Sequence, residues 1–117
     1  MATELEGNLP LQRFIQLLAD LNHQTVDMIQ SGDMRILPKM NETVEEMYSI
    51  QSKGTEDAYT AIDEQMQMIY KNFNAMVAMV NSNEVGKVDN ATTVAVKKFL
   101  HNIFDATVQI VHMYGLA

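Results

Sequence analysis

Apolar residues recur along this chain at intervals of three and four, the spacing that places side chains on one face of an α-helix. The clearest run lies between residues 55 and 81, with intervals of 3, 4, 3, 4, 3 and 4, and consists of Tyr59, Ile62, Met66, Ile69, Phe73, Met76 and Val80. A stripe of this kind is typical of the buried side of a helix in a bundle. The pattern therefore predicts one long helix over residues 55–81.

Similar stripes predict three further helices, over residues 9–31, 37–53 and 90–114. Their inward residues are Leu11, Phe14, Ile15, Leu18, Leu21, Met28 and Ile29 in the first helix, Leu37, Met40, Val44, Met47 and Ile50 or Gln51 in the second, and Val96, Leu100, Ile103, Thr107, Ile110 and Tyr114 in the fourth. Gly32 and Pro38 separate the first two helices, because glycine favours a helix C-terminus and proline interrupts a continuing helix. No strand pattern competes, so the sequence predicts an all-α fold, an antiparallel up-down four-helix bundle.

The length and composition are those of one globular domain. A chain of 117 residues with 47% hydrophobic residues can bury a core without crosslinks, and it contains no cysteine. Residues 1–8 are a candidate disordered N-terminal segment, and residues 9–117 are expected to form a single helical-bundle domain. The opening MATELEGNLPLQRF lacks the basic start of a signal peptide, and no run of about eighteen apolar residues occurs. We therefore expect a cytoplasmic protein without a membrane span.

The net charge of −7 narrows the classes of partner. An acidic surface repels nucleic-acid phosphates and anionic membrane surfaces, and the only adjacent bases are Lys97 and Lys98. We expect a protein partner or a second copy of the chain, which would form a homodimer, and we expect neither nucleic acid nor membrane as a partner.

Candidate chemistry is sparse. The three histidines, His23, His101 and His112, are predicted to face outward. His101 and Asp105 have the i, i+4 spacing of a metal-binding pair, but further ligands would have to come from another helix or subunit. No Glu-x-x-His pair, glycine-rich phosphate loop or cysteine nucleophile occurs. We therefore expect no enzymatic activity, no metal and no cofactor.

The third predicted helix has an apolar arc of about 200°, wider than that of an ordinary surface helix. A second row beside its main stripe consists of Ala61, Met68, Ala75 and Met79. Either this row is buried against a second neighbour, or it is partly exposed and binds a partner, since methionine adapts to several apolar shapes. Three more apolar residues flank the stripe of the fourth helix, and the candidate partner-binding residues are Met68, Met79, Ala75, Phe104, Val108 and Val111.

Together these patterns favour a non-enzymatic, acidic protein-interaction module, adaptor or chaperone-like, that uses the Met-rich apolar face of the third helix with the fourth. The alternative is a helical bundle that binds a small molecule or cofactor. That alternative would need inward polar groups, and the candidates are Tyr48, Tyr59, Tyr114, Thr25 and Thr107. Hydroxyl groups inside helices often bond to their own backbone instead.

Overall fold

The computed structural model describes residues 8–54, 57–81 and 90–116, and within these ranges it contains helices and no strand. The elements in chain order are α1 (Leu9–Ser31), a 3-10 turn (Met34–Ile36), α2 (Leu37–Lys53), α3 (Asp57–Ala61), α4 (Asp63–Asn81) and α5 (Asn90–Met113). The predicted all-α class is confirmed. The segment proposed as disordered, residues 1–8, lies outside the described residues except for Asn8.

Local capping interactions explain where α1 begins and ends. The side chain of Asn8 accepts a hydrogen bond from the backbone N–H of Leu11 at 3.1 Å, and Pro10 occupies the first turn. At the other end Gly32 adopts a left-handed conformation with φ of 67°, and its N–H donates to the carbonyl of Met28 at 2.8 Å. Glycine suits this position because it has no Cβ to clash in the left-handed region.

The predicted single helix over residues 55–81 was wrong at one position. A turn at Ile62 divides it into α3 and α4, while residues 55 and 56 lie outside the described residues. The N–H of Ile62 donates to the carbonyl of Tyr59, three residues earlier, at 3.3 Å, which tightens the backbone locally. The spacing of apolar residues does not reveal this turn, because Tyr59, Ile62 and Met66 are all buried across it.

One core joins the long helices. Helix α1 packs against both α2 and α5, and α4 packs most extensively against α5. Most predicted stripe residues are buried as expected, whereas Ile15, Ile29, Leu37, Ile50 and Val80 are only half-buried. Leu17 joins the core although the sequence pattern did not assign it there, and Thr25 is buried as predicted.

Polar contacts fix which flank of each helix faces which neighbour. Asn22 of α1 donates to the Thr107 hydroxyl of α5 at 3.0 Å, and Asn102 of α5 donates to the side-chain oxygen of Asn72 in α4 at 2.9 Å. The backbones of α2 and α4, in contrast, hardly approach each other within the described residues. The edge between these two helices is therefore the open side of the structure.

Candidate functional site

A groove lies between α2 and α4 along this open edge, and we call it the α2–α4 groove. Two cavities form it, one of about 370 Å³ that reaches Gly54 and one of about 540 Å³ that reaches Asn41. Tyr48, Gln67 and Tyr70 line both cavities and mark the middle of the groove. Side chains rather than backbone thus bridge the two helices.

The bridge is a pair of tyrosines. The rings of Tyr48 and Tyr70 meet edge to face, with centroids 5.3 Å apart and planes inclined at 80°. The Tyr70 hydroxyl, on α4, donates a hydrogen bond to the side-chain oxygen of Gln51, on α2, at 2.5 Å. Burial, followed by the neighbouring Tyr48 and Asp63, raises the pKa of Tyr70. Tyr70 therefore remains a neutral phenol that can donate across the groove.

The remaining lining is mainly polar above an apolar floor. Val44 and Phe73 form the floor and are themselves almost fully buried. The other residues that line the two cavities are Asn41, Glu45, Gln51, Ser52, Gly54, Tyr59, Thr60, Asp63 and Asn74. Hydroxyl and amide groups of this kind can give a bound group orientation through hydrogen bonds.

Each wall of the groove carries one carboxylate. Glu45 comes from α2 and accepts a hydrogen bond from the Asn41 amide at 3.2 Å, and Asp63 comes from α4. Among the described lining residues there is no lysine, arginine or histidine. Lys53 lines a separate cavity of about 280 Å³ that meets the groove at Gly54. The groove itself is consequently acidic.

The six residues predicted to bind a partner lie elsewhere. Met68 is 40% exposed, and the others, Ala75, Met79, Phe104, Val108 and Val111, are half-buried. The second row of the helix is therefore neither fully buried nor fully exposed. Val111 also packs against the core.

The structure does not bring these six residues to one surface. At about 100° per residue, Met68, Ala75 and Met79 all lie within about 60° of Asn72, on the flank of α4 that faces α5. On α5, Val111 lies about 40° from Thr107, on the flank that faces α1, and about 180° from the Asn102 that contacts α4. Phe104 lies about 60° from Thr107 on the same flank, and Val108 lies farther outward. We call Met68, Ala75 and Met79 the Met68 face.

Three of the five hydroxyls predicted to face inward bond to backbone carbonyls. Thr25 and Thr107 donate to carbonyls of their own helices at 2.6 and 2.7 Å, and Tyr114 donates to the carbonyl of Ala58 at 3.1 Å. The inward placement of Tyr48 was wrong, because its side chain is 58% exposed. Tyr59 is buried with its ring against Phe14, the centroids 5.5 Å apart.

Metal-binding side chains do not cluster in the part of the chain that the structure describes. His23, His101 and His112 are all exposed, as their positions on the helices predicted. In residues 8–54, 57–81 and 90–116, no group of three or more histidine, cysteine, aspartate or glutamate side chains could hold a metal ion.

Comparison with models of protein families, with curated proteins and with solved structures finds no match to this chain. Within the described ranges, none of the helices has both the length and the apolar character required to cross a bilayer.

Two tyrosines beside the buried stripes are a signal for the groove in the sequence. Tyr48 and Tyr70 each directly follow a buried stripe residue, Met47 and Ile69, so each lies about 100° off the inward direction. Large aromatic residues just beside the stripe on two different helices indicate a shared flank. The sequence alone could not tell that the two flanks face each other across an open edge.

Proposed function

We propose that this chain is a non-enzymatic helical protein-interaction module, adaptor or chaperone-like, whose binding surface is the α2–α4 groove. The observation that carries the proposal is Tyr48, an aromatic side chain that is 58% exposed in the middle of an open groove. Tyrosine is enriched among the residues that supply most of the binding energy at protein interfaces. Grooves between helices commonly receive a partner helix.

We propose the groove, in place of the Met68 face, as the binding site of the partner. Met68 is the one clearly exposed member of that face, and Ala75 and Met79 are half-buried. Phe104 and Val111, which were expected to extend it, lie on the opposite flank of α5. The Met68 face thus offers less continuous surface than the groove does.

The proposed topology explains why this edge would be available. In this proposal the four long helices run antiparallel in up-and-down order, so that α2 and α4 would be neighbours around the bundle. In the described residues the other three neighbouring pairs, α1–α2, α1–α5 and α4–α5, pack with their backbones close together, whereas α2 and α4 meet mainly through side chains. A partner helix would take its place along this edge. Helix α2 has 17 residues, a length of about 25 Å, which matches an ordinary partner helix.

A small-molecule ligand is the second candidate, favoured by the cavity volumes. Both cavities, about 370 and 540 Å³, have the size of small-molecule sites. The amide groups of Gln51 and Gln67 and the two tyrosines converge there. A non-covalent adduct of small mass, seen by native mass spectrometry of the wild-type protein and lost in Tyr48→Ala, would favour this candidate.

Site-specific photo-crosslinking in the cells of origin tests the module directly. A benzophenone amino acid replaces Tyr48 in one variant, Met68 in a second and His101 in a third, all three positions being exposed. We expect a discrete protein adduct from position 48 and none from position 101. Adducts from position 68 alone would return the site to the Met68 face, and adducts from none of the three would contradict the proposal.

A further inference from the structure

We propose that the occupant of the α2–α4 groove is a cationic segment of a partner protein, which places arginine side chains along the groove, against Tyr48 and beside Glu45 in one half and Asp63 in the other. This inference rests on the proposed function, because it specifies the partner of the same groove. It is drawn from charge complementarity and from the aromatic bridge.

The charges of the groove favour a cation. Glu45 lines the cavity that reaches Asn41, and Asp63 lines the cavity that reaches Gly54, so a cation in either half of the groove would be attracted by one carboxylate. The described lining contains no cationic side chain that could neutralise them. The net charge of the chain, −7, also attracts a basic partner at long range and so speeds their encounter.

The tyrosine pair supplies the second attraction. A guanidinium or ammonium group binds to the negative face of an aromatic ring, and the exposed part of Tyr48 is available for this contact. Tyr70 stays neutral and holds Tyr48 edge to face across the groove. An anionic segment along the groove would meet a carboxylate in each half and would be repelled.

Arginine fits the lining better than lysine does. Its guanidinium carries five N–H donors in a plane and stacks on aromatic rings, whereas lysine carries a compact, strongly hydrated ammonium. Acceptors stand at several places along the groove, including the carboxylates of Glu45 and Asp63 and the exposed amides of Gln67 and Asn74. A planar group with several donors can bond to more than one of them while it covers the ring.

The length of the groove sets the length of the segment. From Asn41 to Gly54 the groove follows thirteen helical steps of α2, about 20 Å, which a partner helix of about 14 residues would span. Val44 and Phe73 form the apolar floor. The segment should therefore be an amphipathic helix with a narrow apolar stripe and arginine beside it.

Three synthetic peptides test this inference on the full chain. Each is a fluorescein-labelled helical peptide of about 14 residues with the same leucine stripe. The flanking positions carry arginine in the first peptide, glutamine in the second and glutamate in the third. Fluorescence anisotropy should show the arginine peptide binding about tenfold or more tightly than the glutamine peptide, with no binding of the glutamate peptide. Its affinity should fall between about 50 and about 300 mM salt, because screening weakens the attraction.

Matched variants locate the charge effect. The double variant Glu45→Gln with Asp63→Asn should weaken binding of the arginine peptide about tenfold and reduce its salt dependence. The control, Glu42→Gln with Glu64→Gln, removes the same charge from exposed positions that do not line the groove, and it should bind like the wild type. Circular dichroism melting of both double variants verifies that they remain folded.

The outcomes separate this inference from the proposed function. Equal binding of the arginine and glutamine peptides, lost in Tyr48→Ala, would overturn the cationic partner and leave the interaction module in place. Equal loss in the two double variants would mean attraction to net charge alone and would also overturn the inference. No binding of the arginine peptide would overturn it too, and crosslinking from position 48 would then decide whether the module remains.

Discussion

The hydrogen bond from Tyr70 to Gln51 offers a sharp test of how α2 and α4 are held together. Replacing Tyr70 with phenylalanine removes one hydroxyl and keeps the ring, so the edge-to-face contact with Tyr48 is retained. The lost bond is short, 2.5 Å, and both side chains are half-buried. The change therefore isolates a single polar contact across the groove.

The expected cost follows from the burial of the two partners. A neutral intramolecular hydrogen bond contributes about 1 kcal/mol net, and a buried acceptor left without its donor adds to that cost. Gln51 is only half-buried, so water can replace part of the lost bond. We expect Tyr70→Phe to lower the free energy of unfolding by about 1 kcal/mol, which corresponds to a decrease in Tm of about 4 °C.

Urea unfolding followed by circular dichroism measures this change, and a double-mutant cycle assigns it. Tyr70→Phe and Gln51→Leu are measured singly and together, and the coupling free energy should be about 0.5–1.5 kcal/mol. Tyr48→Phe is the matched control, because it removes a tyrosine hydroxyl from an exposed residue of the same groove. We expect that control to change stability by less than about 0.5 kcal/mol.

Two results would refute this reasoning. A coupling free energy near zero would mean that the hydroxyl and the amide do not interact in solution. An equal loss of stability in Tyr70→Phe and Tyr48→Phe would mean that the contact does not distinguish the half-buried tyrosine from the exposed one.

Four further substitutions test the fold. Gly32→Ala should lower the free energy of unfolding by about 1 kcal/mol, because Gly32 has φ of 67°, and unchanged thermal stability would refute the left-handed cap. Met66→Ala should cost about 2–5 kcal/mol in urea unfolding, whereas Met68→Gln should cost less than about 1 kcal/mol, and similar costs would contradict their different burial. The hydrogen bond from Arg13 holds the pKa of Glu46 in the folded protein below its ordinary value. The pair therefore stabilises the fold at pH values above the ordinary pKa, and this stabilisation is lost as the pH falls through the lowered pKa. We therefore expect the Tm of Glu46→Gln to fall slightly less than that of the wild type between about pH 6 and about pH 3, and the difference should be small because the pair is exposed. A steeper fall in the variant would contradict this sign.

Periodicity was sufficient to predict the helices and most of the core. The stripe residues of α4 other than Val80, and those of α5, are buried because intervals of three and four correspond directly to one helix face. The ends of α1 were predictable for a similar reason, since Asn8 and Gly32 act within a single turn of backbone. The turn at Ile62 was not predictable, because an i to i+3 bond there leaves the inward spacing intact.

The site was harder to predict because it depends on which flanks of different helices meet. Met68 and Val111 each lie beside a stripe, and the sequence pattern predicted that they belong to one surface. The contacts of Asn72 with Asn102, and of Asn22 with Thr107, place them on different flanks. The prediction that Tyr48 faces inward was wrong for the same reason, because this side chain lies about 100° from Met47 and faces the groove. Helix periodicity gives an angle within one helix and carries no information on the neighbour at that angle.

The central claim is that the partner binds in the α2–α4 groove, and methyl and amide NMR spectra of the full chain test it most directly. The arginine peptide is titrated into labelled protein, and the methionine methyl groups report on the Met68 face. We predict the largest shift changes at Tyr48, Gln67 and Tyr70, with Met68 and Phe104 unchanged. Shift changes concentrated at Met68, with Tyr48 and Tyr70 unaffected, would contradict the account.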